Sequence, residues 1–322
     1  MAGKYRNRNL IIIFVILAAL FFAGRYFKTR KYQRTLKTDL VSIDTSKIDR
    51  ILLYPQSGDK EEVSFLRKGH GWSVSSGGVT AEAGKGNVRN IFSDLITMKA
   101  DQLVTRDPDR WTEFHVNDSL GTRLVVKEGK KTRLDMMIGK FNYQPGPGGY
   151  GGYGGNQGRG LTYVRLTGEN DVYVVEGYLA MTFNQPFRNW RDQTILRADK
   201  TSITRVSYDY PMDSGFVLMM QDSVWMIDGM QPDSAKTAQL LSALSRKSAS
   251  TFDDDFSPLN APDYQLRIEG NNMQPISVLA YRTPDNQYII NSSLNPDSYF
   301  SSGPDGVFRD IFRSRSGLTG NR

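Results

Sequence analysis

The chain has 322 residues, 39% of them hydrophobic and 23% charged, a balance that excludes general disorder and leaves room for about two domains. Its net charge of +7 is concentrated at the start: Lys4, Arg6, Arg8, Arg25, Lys28, Arg30, Lys31, Arg34 and Lys37 precede the first acidic residue, Asp39. The remaining 32 basic residues face 34 acidic ones, so the basicity belongs to a membrane-flanking segment rather than to a nucleic-acid-binding face, while the absence of cysteine excludes disulfides, a thiol nucleophile, thiolate metal sites and a lipid-modified N-terminal cysteine.

In chain order, a basic tail (1–9) leads into Leu10 to Ala23, LIIIFVILAALFFA, which has no polar side chain. Its eleven Leu, Ile, Val and Phe residues favour the bilayer by roughly 3–7 kcal/mol. Fourteen helical residues rise about 21 Å, and extension through Gly24, Arg25, Tyr26 and Phe27 reaches about 27 Å, near a hydrocarbon core of ~30 Å. Arg25 can snorkel, and Tyr26 and Phe27 suit the interface. Residues 10–27 are therefore expected to be a transmembrane signal anchor whose first partner is the lipid bilayer. A cleaved signal peptide would share the basic start, but Phe21, Phe22, Arg25, Tyr26 and Phe27 crowd the place where a small-x-small cleavage site belongs. Three basic residues precede the span and six follow it, and that count alone puts the C-terminal side in the cytoplasm. Residues 28–44 form a basic linker.

A first α+β unit is expected over 45–197. Ser46 to Tyr54 reads as a strand, followed by Val63 to Arg67, a glycine-containing turn and Gly71-Trp72-Ser73-Val74. Asn87 to Met98 carries Val88, Ile91, Phe92, Leu95 and Met98 at helical spacing. Further strands follow at Thr122 to Lys127, Arg133 to Ile138, Leu161 to Leu166 and Val172 to Val175. Tyr178 to Phe183 reads as a short helix, and Pro186 to Asp192 as a bridge in which Arg188, Arg191 and Asp192 can pair structurally.

A second unit, 198–314, retraces this plan. Thr201 to Tyr208, Phe216 to Met220 and Val224 to Ile227 read as strands; a helix from about Asp233 to Lys247 turns Ala238, Leu241, Ala243 and Leu244 inward, with Asp233 or Ser234 as its N-cap. Four strands then match the first unit's last four: Tyr264 to Glu269, Ile276 to Tyr281, Gln287 to Asn291 and Ser298 to Ser301. Trp72 and Trp225 lie 153 positions apart at equivalent places, which reads as a pair of core tryptophans. The expected fold class is α+β: a transmembrane helix followed by two tandem related units, each an antiparallel β-meander covered by a helix, with a disordered tail at 315–322.

Few segments carry recognisable chemistry. Residues 145–160, PGPGGYGGYGGNQGRG, interrupt the first unit without the Gly-Lys-Ser/Thr or strand-GxGxxG-helix context of a phosphate loop. They read as a flexible insertion in which Tyr143, Tyr150 and Tyr153 form a possible partner-contact loop. His70 lies in a Gly-flanked turn and His115 near an aromatic loop, with no HxxxH partner for either. Asp253-Asp254-Asp255 lacks the register and distal Glu of a calcium loop and reads as a solvated turn. No GxSxG or HExxH motif occurs, so no catalytic, metal or cofactor-binding residue is assigned and the chain is read as a non-enzyme.

Taken together, Ser46-Lys47-Ile48-Asp49-Arg50-Ile51, Gly71-Trp72-Ser73-Val74, the 87–98 helix with Lys99-Ala100, Met137-Ile138-Gly139, Tyr163-Val164-Arg165, Asp171 to Val175 and Trp190-Arg191-Asp192-Gln193-Thr194-Ile195-Leu196 resemble a bacterial family, domain of unknown function 4340. The resemblance implies a membrane-tethered accessory component, in some cases linked to an ABC-type transport system of the kind associated with gliding motility, with no family catalytic residues to carry over. It also favours an exported domain, against the simple charge count. The resulting expectation is a non-enzymatic inner-membrane protein, single-pass with a periplasmic C-terminal domain. As an accessory of a transporter or other cell-envelope complex, its protein partners would be membrane or envelope proteins such as ABC-type transporter subunits, and not nucleic acid. The alternative is a periplasmic module binding a polysaccharide or lipid in a cleft between the two halves.

Overall fold

The computed structural model describes residues 40–145, 158–211 and 214–319. The expected anchor, the basic tail, most of the linker, and Tyr150 and Tyr153 lie outside these residues. Among the described residues no helix is long and apolar enough to cross a membrane.

The fold is α+β and mostly antiparallel sheet. Strands β1 (Arg50–Tyr54), β2 (Val63–Lys68), β3 (Gly71–Ser76) and β4 (Val79–Glu82) precede helix α1 (Lys85–Thr97). After it come β5 (Ala100–Thr105), a 3-10 turn at Pro108–Phe114, β6 (Thr122–Glu128), β7 (Lys131–Gln144), β8 (Arg159–Leu166) and β9 (Val172–Glu176). These nine strands form one sheet in the order β4-β3-β2-β1-β6-β7-β8-β9-β5. Two short helices follow, α2 (Leu179–Phe183) and α3 (Phe187–Trp190), then β10 (Thr194–Arg197).

A second sheet is built from β11 (Ile203–Asp209), β12 (Phe216–Gln221), β13 (Val224–Ile227), β15 (Tyr264–Gly270), β16 (Ile276–Arg282), β17 (Tyr288–Ser292) and β18 (Asn295–Ser302). Its order is β13-β12-β11-β15-β16-β17-β18. Helix α4 (Ser234–Ser245) and strand β14 (Arg246–Ser248) lie between β13 and β15 in the chain, and β14 pairs with β10 as a separate two-stranded ribbon. The chain closes with α5 (Val307–Ile311) and α6 (Arg315–Thr319).

Two compact units result. One gathers Phe92–Val125 and Thr132–Phe183; the other gathers Lys47–Ile91, Val126–Lys131 and Asn184 to the C-terminus. In the second, period-two alternation sends Val206 and Tyr208 of β11, and Ile276, Val278 and Ala280 of β16, into a core shared with Leu240, Leu244, Phe300 and Phe312, and a register shift between Ile203 and Arg205 lets Ile203 join it. Two-residue turns with both central residues at positive φ close β3–β4, through Gly77 (57°) and Gly78 (85°), and β12–β13, through Asp222 (47°) and Ser223 (66°). This handedness matches the twist of the strands that it joins.

Three expectations need correction. The tail expected from 315 begins with α6: Leu318 is buried, its carbonyl accepts the Asp233 N–H at 2.9 Å, and Arg315 pairs with Asp228 at 3.2 Å. A single leucine supplies the apolar contact that holds this turn down. Helix α4 turns Thr237, Leu240, Leu241 and Leu244 inward and leaves Ala238 exposed. Three leucines bury more apolar area than alanines can, and the Thr237 hydroxyl is satisfied by the Asp233 carbonyl at 2.8 Å. Trp72 and Trp225 are half-buried rather than central, because β13 is an edge strand and β3 is next to one. Trp72 instead carries the Arg67 guanidinium 4.8 Å above its ring.

Candidate functional site

In the first unit, the described ends of the glycine-rich insertion continue a regular hairpin: Tyr143 lies opposite Gly160, and Gln144 opposite Arg159. Arg159 fixes this base by hydrogen bonding to Gln144 at 3.0 Å and Asp101 at 3.3 Å. Phe141 and Tyr143 share one face of β7 by strand periodicity, and Phe141 stacks on Tyr178 with ring centroids 5.3 Å apart. Tyr143 is 38% exposed, while Tyr178 and Met181 are each 52% exposed. Of the three tyrosines expected to touch a partner, one is therefore placed, and it stands beside an exposed aromatic and methionine patch that periodicity alone did not reveal.

The same unit explains Met137-Ile138-Gly139. A β-carbon on Gly139 would lie 2.2 Å from the Phe114 carbonyl oxygen and 2.7 Å from Val116, so only glycine lets the 3-10 turn press against β7. Arg165 reaches over the Trp111 ring at 3.8 Å and donates to the Val116 carbonyl at 3.1 Å. Burial pulls the Asp135 carboxyl up, but hydrogen bonds from Arg123 and Thr167 and the charges of Arg123 and Arg165 outweigh it and hold the group below the usual carboxylate range. Burial pushes the Asp94 carboxyl up, partly offset by a hydrogen bond from Thr182.

His70 is exposed at the β2–β3 turn, and His115 is exposed in a left-handed conformation that caps the 3-10 turn. Among the described residues no three His, Asp or Glu side chains gather closely enough to hold a metal ion.

The second unit holds a cavity of about 640 Å³. Its walls are the start of α1, the 189–197 segment, β14 and Leu294. The walls are joined by main-chain and amide hydrogen bonds: Gly84 N–H to the Trp190 carbonyl at 2.9 Å, Asn87 Nδ2 to the Asn189 carbonyl at 2.7 Å, and Asp192 N–H to the Glu82 carbonyl at 2.8 Å. Asn295 Nδ2 donates to the Asp192 carbonyl at 2.7 Å, and the Ser292 hydroxyl to the Ile195 carbonyl at 2.6 Å. The Trp190 ring packs edge-on against Phe65 at 5.4 Å. The run Trp190 to Leu196 is thus a hub that ties strands and helices of this unit together.

Arg191 lies at the centre of that hub and is only 2% exposed. Its Nη1 donates to both Asp254 oxygens at 2.8 Å, and its guanidinium lies 3.6 Å from the Phe252 ring centroid and 5.4 Å from that of Phe187. The central aspartate of the expected solvated turn is therefore the counter-ion of a buried arginine. The buried Arg191 Nε has no hydrogen-bond partner among the described residues. The cavity's cationic lining comprises Lys85, Arg89, Arg191, Arg197, Arg246 and Lys247, and its acidic lining is Asp192 alone.

A family model described as domain of unknown function 4340 matches residues 72–267. No curated protein and no solved structure matches the chain.

Proposed function

The chain belongs to the domain of unknown function 4340 family, and from that premise we propose that it is a non-enzymatic accessory component of a transporter or other cell-envelope complex, held at the inner membrane by residues 10–27. The observation that carries this is the exposed patch of Tyr143, Tyr178 and Met181 at the base of the glycine-rich hairpin. Large apolar side chains clustered on a surface mark contact with another protein, and Tyr and Met are enriched in such contacts. The apolar run Leu10 to Ala23 supports the tether, and the exported orientation of the folded part follows the family resemblance. A photo-crosslinking amino acid at position 178 of the full-length chain in native membranes should give a discrete adduct with an integral membrane or envelope protein. Adducts at position 178 no more abundant than at an exposed control such as position 309 would refute the contact.

The body is further proposed to be two tandem related units. Its support is that β3-β2-β1-β6-β7-β8-β9 repeats the order β13-β12-β11-β15-β16-β17-β18, with α1 and α4 each falling between the third and fourth of those strands in the chain. The first run differs by its additional strands β4 and β5. Superposition of the two runs in an experimentally determined structure should align most of the seven strands, and failure to do so would remove this reading.

A second reading, a periplasmic ligand-binding module, is favoured by the 640 Å³ cavity with polar groups converging on it. A polysaccharide or lipid remains the proposed ligand class for that reading, and saturable binding of either by the full-length chain is its test.

A further inference from the structure

The geometry points to the cavity at the start of α1 as a binding site for a phosphate group, with Arg197 and Arg246 as its principal ligands. The pairing of β10 with β14 sets Arg197 directly opposite Arg246. Like charges facing each other across a ladder repel, and sheets ordinarily avoid the arrangement or place an acid beside it. On the seven-stranded sheet Arg205 and Arg267 do share an acid, Glu269, at 3.7 and 3.0 Å. Arg197 and Arg246 have no such partner, and neither do Lys85 and Arg89 on the same cavity wall: none of the four makes an ion pair among the described residues. The other two cations of the lining are neutralised, Arg191 by Asp254 and Lys247 by Asp310, each at 2.8 Å. Asp192, the one acid of the lining, is turned to the Thr194 N–H at 2.8 Å and forms no ion pair with any of the four among the described residues, so the lining keeps an excess of positive charge.

Two further features of the same cavity suit an anion. Helix α1 presents its first N–H groups, at Lys85, Gly86 and Asn87, without intrahelical acceptors, and its first turn carries no acidic residue. A lysine at that end opposes the helix dipole unless an anion sits between them. Gly86 has open space where a side chain would be, so a ligand can approach its backbone. The second feature is the buried, unpartnered Nε of Arg191 in the adjoining wall. Arginine forks match a phosphate group's oxygens in number and geometry, and the cavity is larger than a bare phosphate needs, so a phosphate ester of a small molecule or of a lipid headgroup is the fitting class. This site is independent of the anchor and of the hairpin patch.

The test is calorimetric titration of the full-length chain in neutral detergent with pyrophosphate, glycerol 3-phosphate and a water-soluble short-chain phosphatidate. Saturable, salt-sensitive binding is expected, weakened at least about tenfold for each arginine lost in R197Q and R246Q and unchanged in R282Q, an exposed arginine outside the cavity lining. Phosphatidate binding much more tightly than glycerol 3-phosphate identifies a lipid headgroup; equal binding identifies a free phosphate ester. The double variant R197Q/R246Q should also melt at a higher temperature than the native chain without ligand, because the repulsion is gone, and should lose the rise in Tm that phosphate esters give the native chain. K85Q/R89Q supplies the same comparison with β10 and β14 untouched. The inference is overturned if no probe binds saturably up to millimolar concentration, or if binding survives unchanged in R197Q/R246Q.

Discussion

Arg191 shows how much of the site a local motif conveys. The run Trp190 to Leu196 is conspicuous in the sequence, yet the partner of its arginine, Asp254, lies 63 positions away in a stretch that reads as a solvated turn. Periodicity describes neighbours, and a pair closed by tertiary folding leaves no local trace. Asp254→Ala is expected to destabilise the protein by about 2–3 kcal/mol in urea titration, because it strands a buried guanidinium, whereas Arg191→Met with Asp254→Leu recovers most of that loss. The buried tyrosines set an alkaline limit. Burial raises the Tyr208 hydroxyl far above its usual value, and burial with the nearby Asp171 pushes Tyr173 up to about 12. A raised folded-state value means that this stability is complete below the unfolded value of about 10 and is lost as pH rises beyond it. Between pH 10 and 11 the urea-derived stability should fall by about 1 kcal/mol on account of Tyr208 alone, and Tyr208→Phe should flatten the decline. The depressed Asp135 has the opposite sign: its contribution is present above the ordinary carboxylate value of about 3.9 and is lost as pH falls through the lower folded value.

Hairpin strands and long helices were legible because each carries its own pattern: alternation in β11 and β16, and Val88, Ile91 and Leu95 on one face of α1. Asp233 caps α4 as its sequence signature suggests, accepting the Lys236 N–H at 2.9 Å, and Asp233→Ala should cost about 1 kcal/mol. Leu244→Ala should cost about 3 kcal/mol by leaving a cavity in the second unit's core. Strands β4, β5, β10 and β14 were not anticipated: they are three to six residues long, and their pairings either continue a hairpin or join distant segments. The ribbon that sets Arg197 opposite Arg246 is therefore invisible until the chain is folded. Gly139 is a sharper case. Its motif is evident in the sequence, but the reason for glycine is the Phe114 carbonyl, so Gly139→Ala should lower stability by roughly 3 kcal/mol or more in the same titration.

For the molecule as a whole, the proposal is a tether at residues 10–27 and a folded part that meets other molecules through the exposed aromatic patch and the basic cavity. The strand order that supports duplication could be inferred only from the parallel succession of strands along the chain, since identity between the two runs is slight. If the folded part is exported, alkaline phosphatase fused after residue 322 should be active, and an inactive but well-expressed fusion would reverse the orientation. The most direct test of the central claim is crosslinking from position 178 of the full-length chain in native membranes, followed by fractionation and N-terminal sequencing of the adduct. The account predicts one dominant membrane-fraction adduct that keeps residues 10–27. A mature chain that begins after residue 24, fractionates as soluble and gives no specific adduct would contradict it.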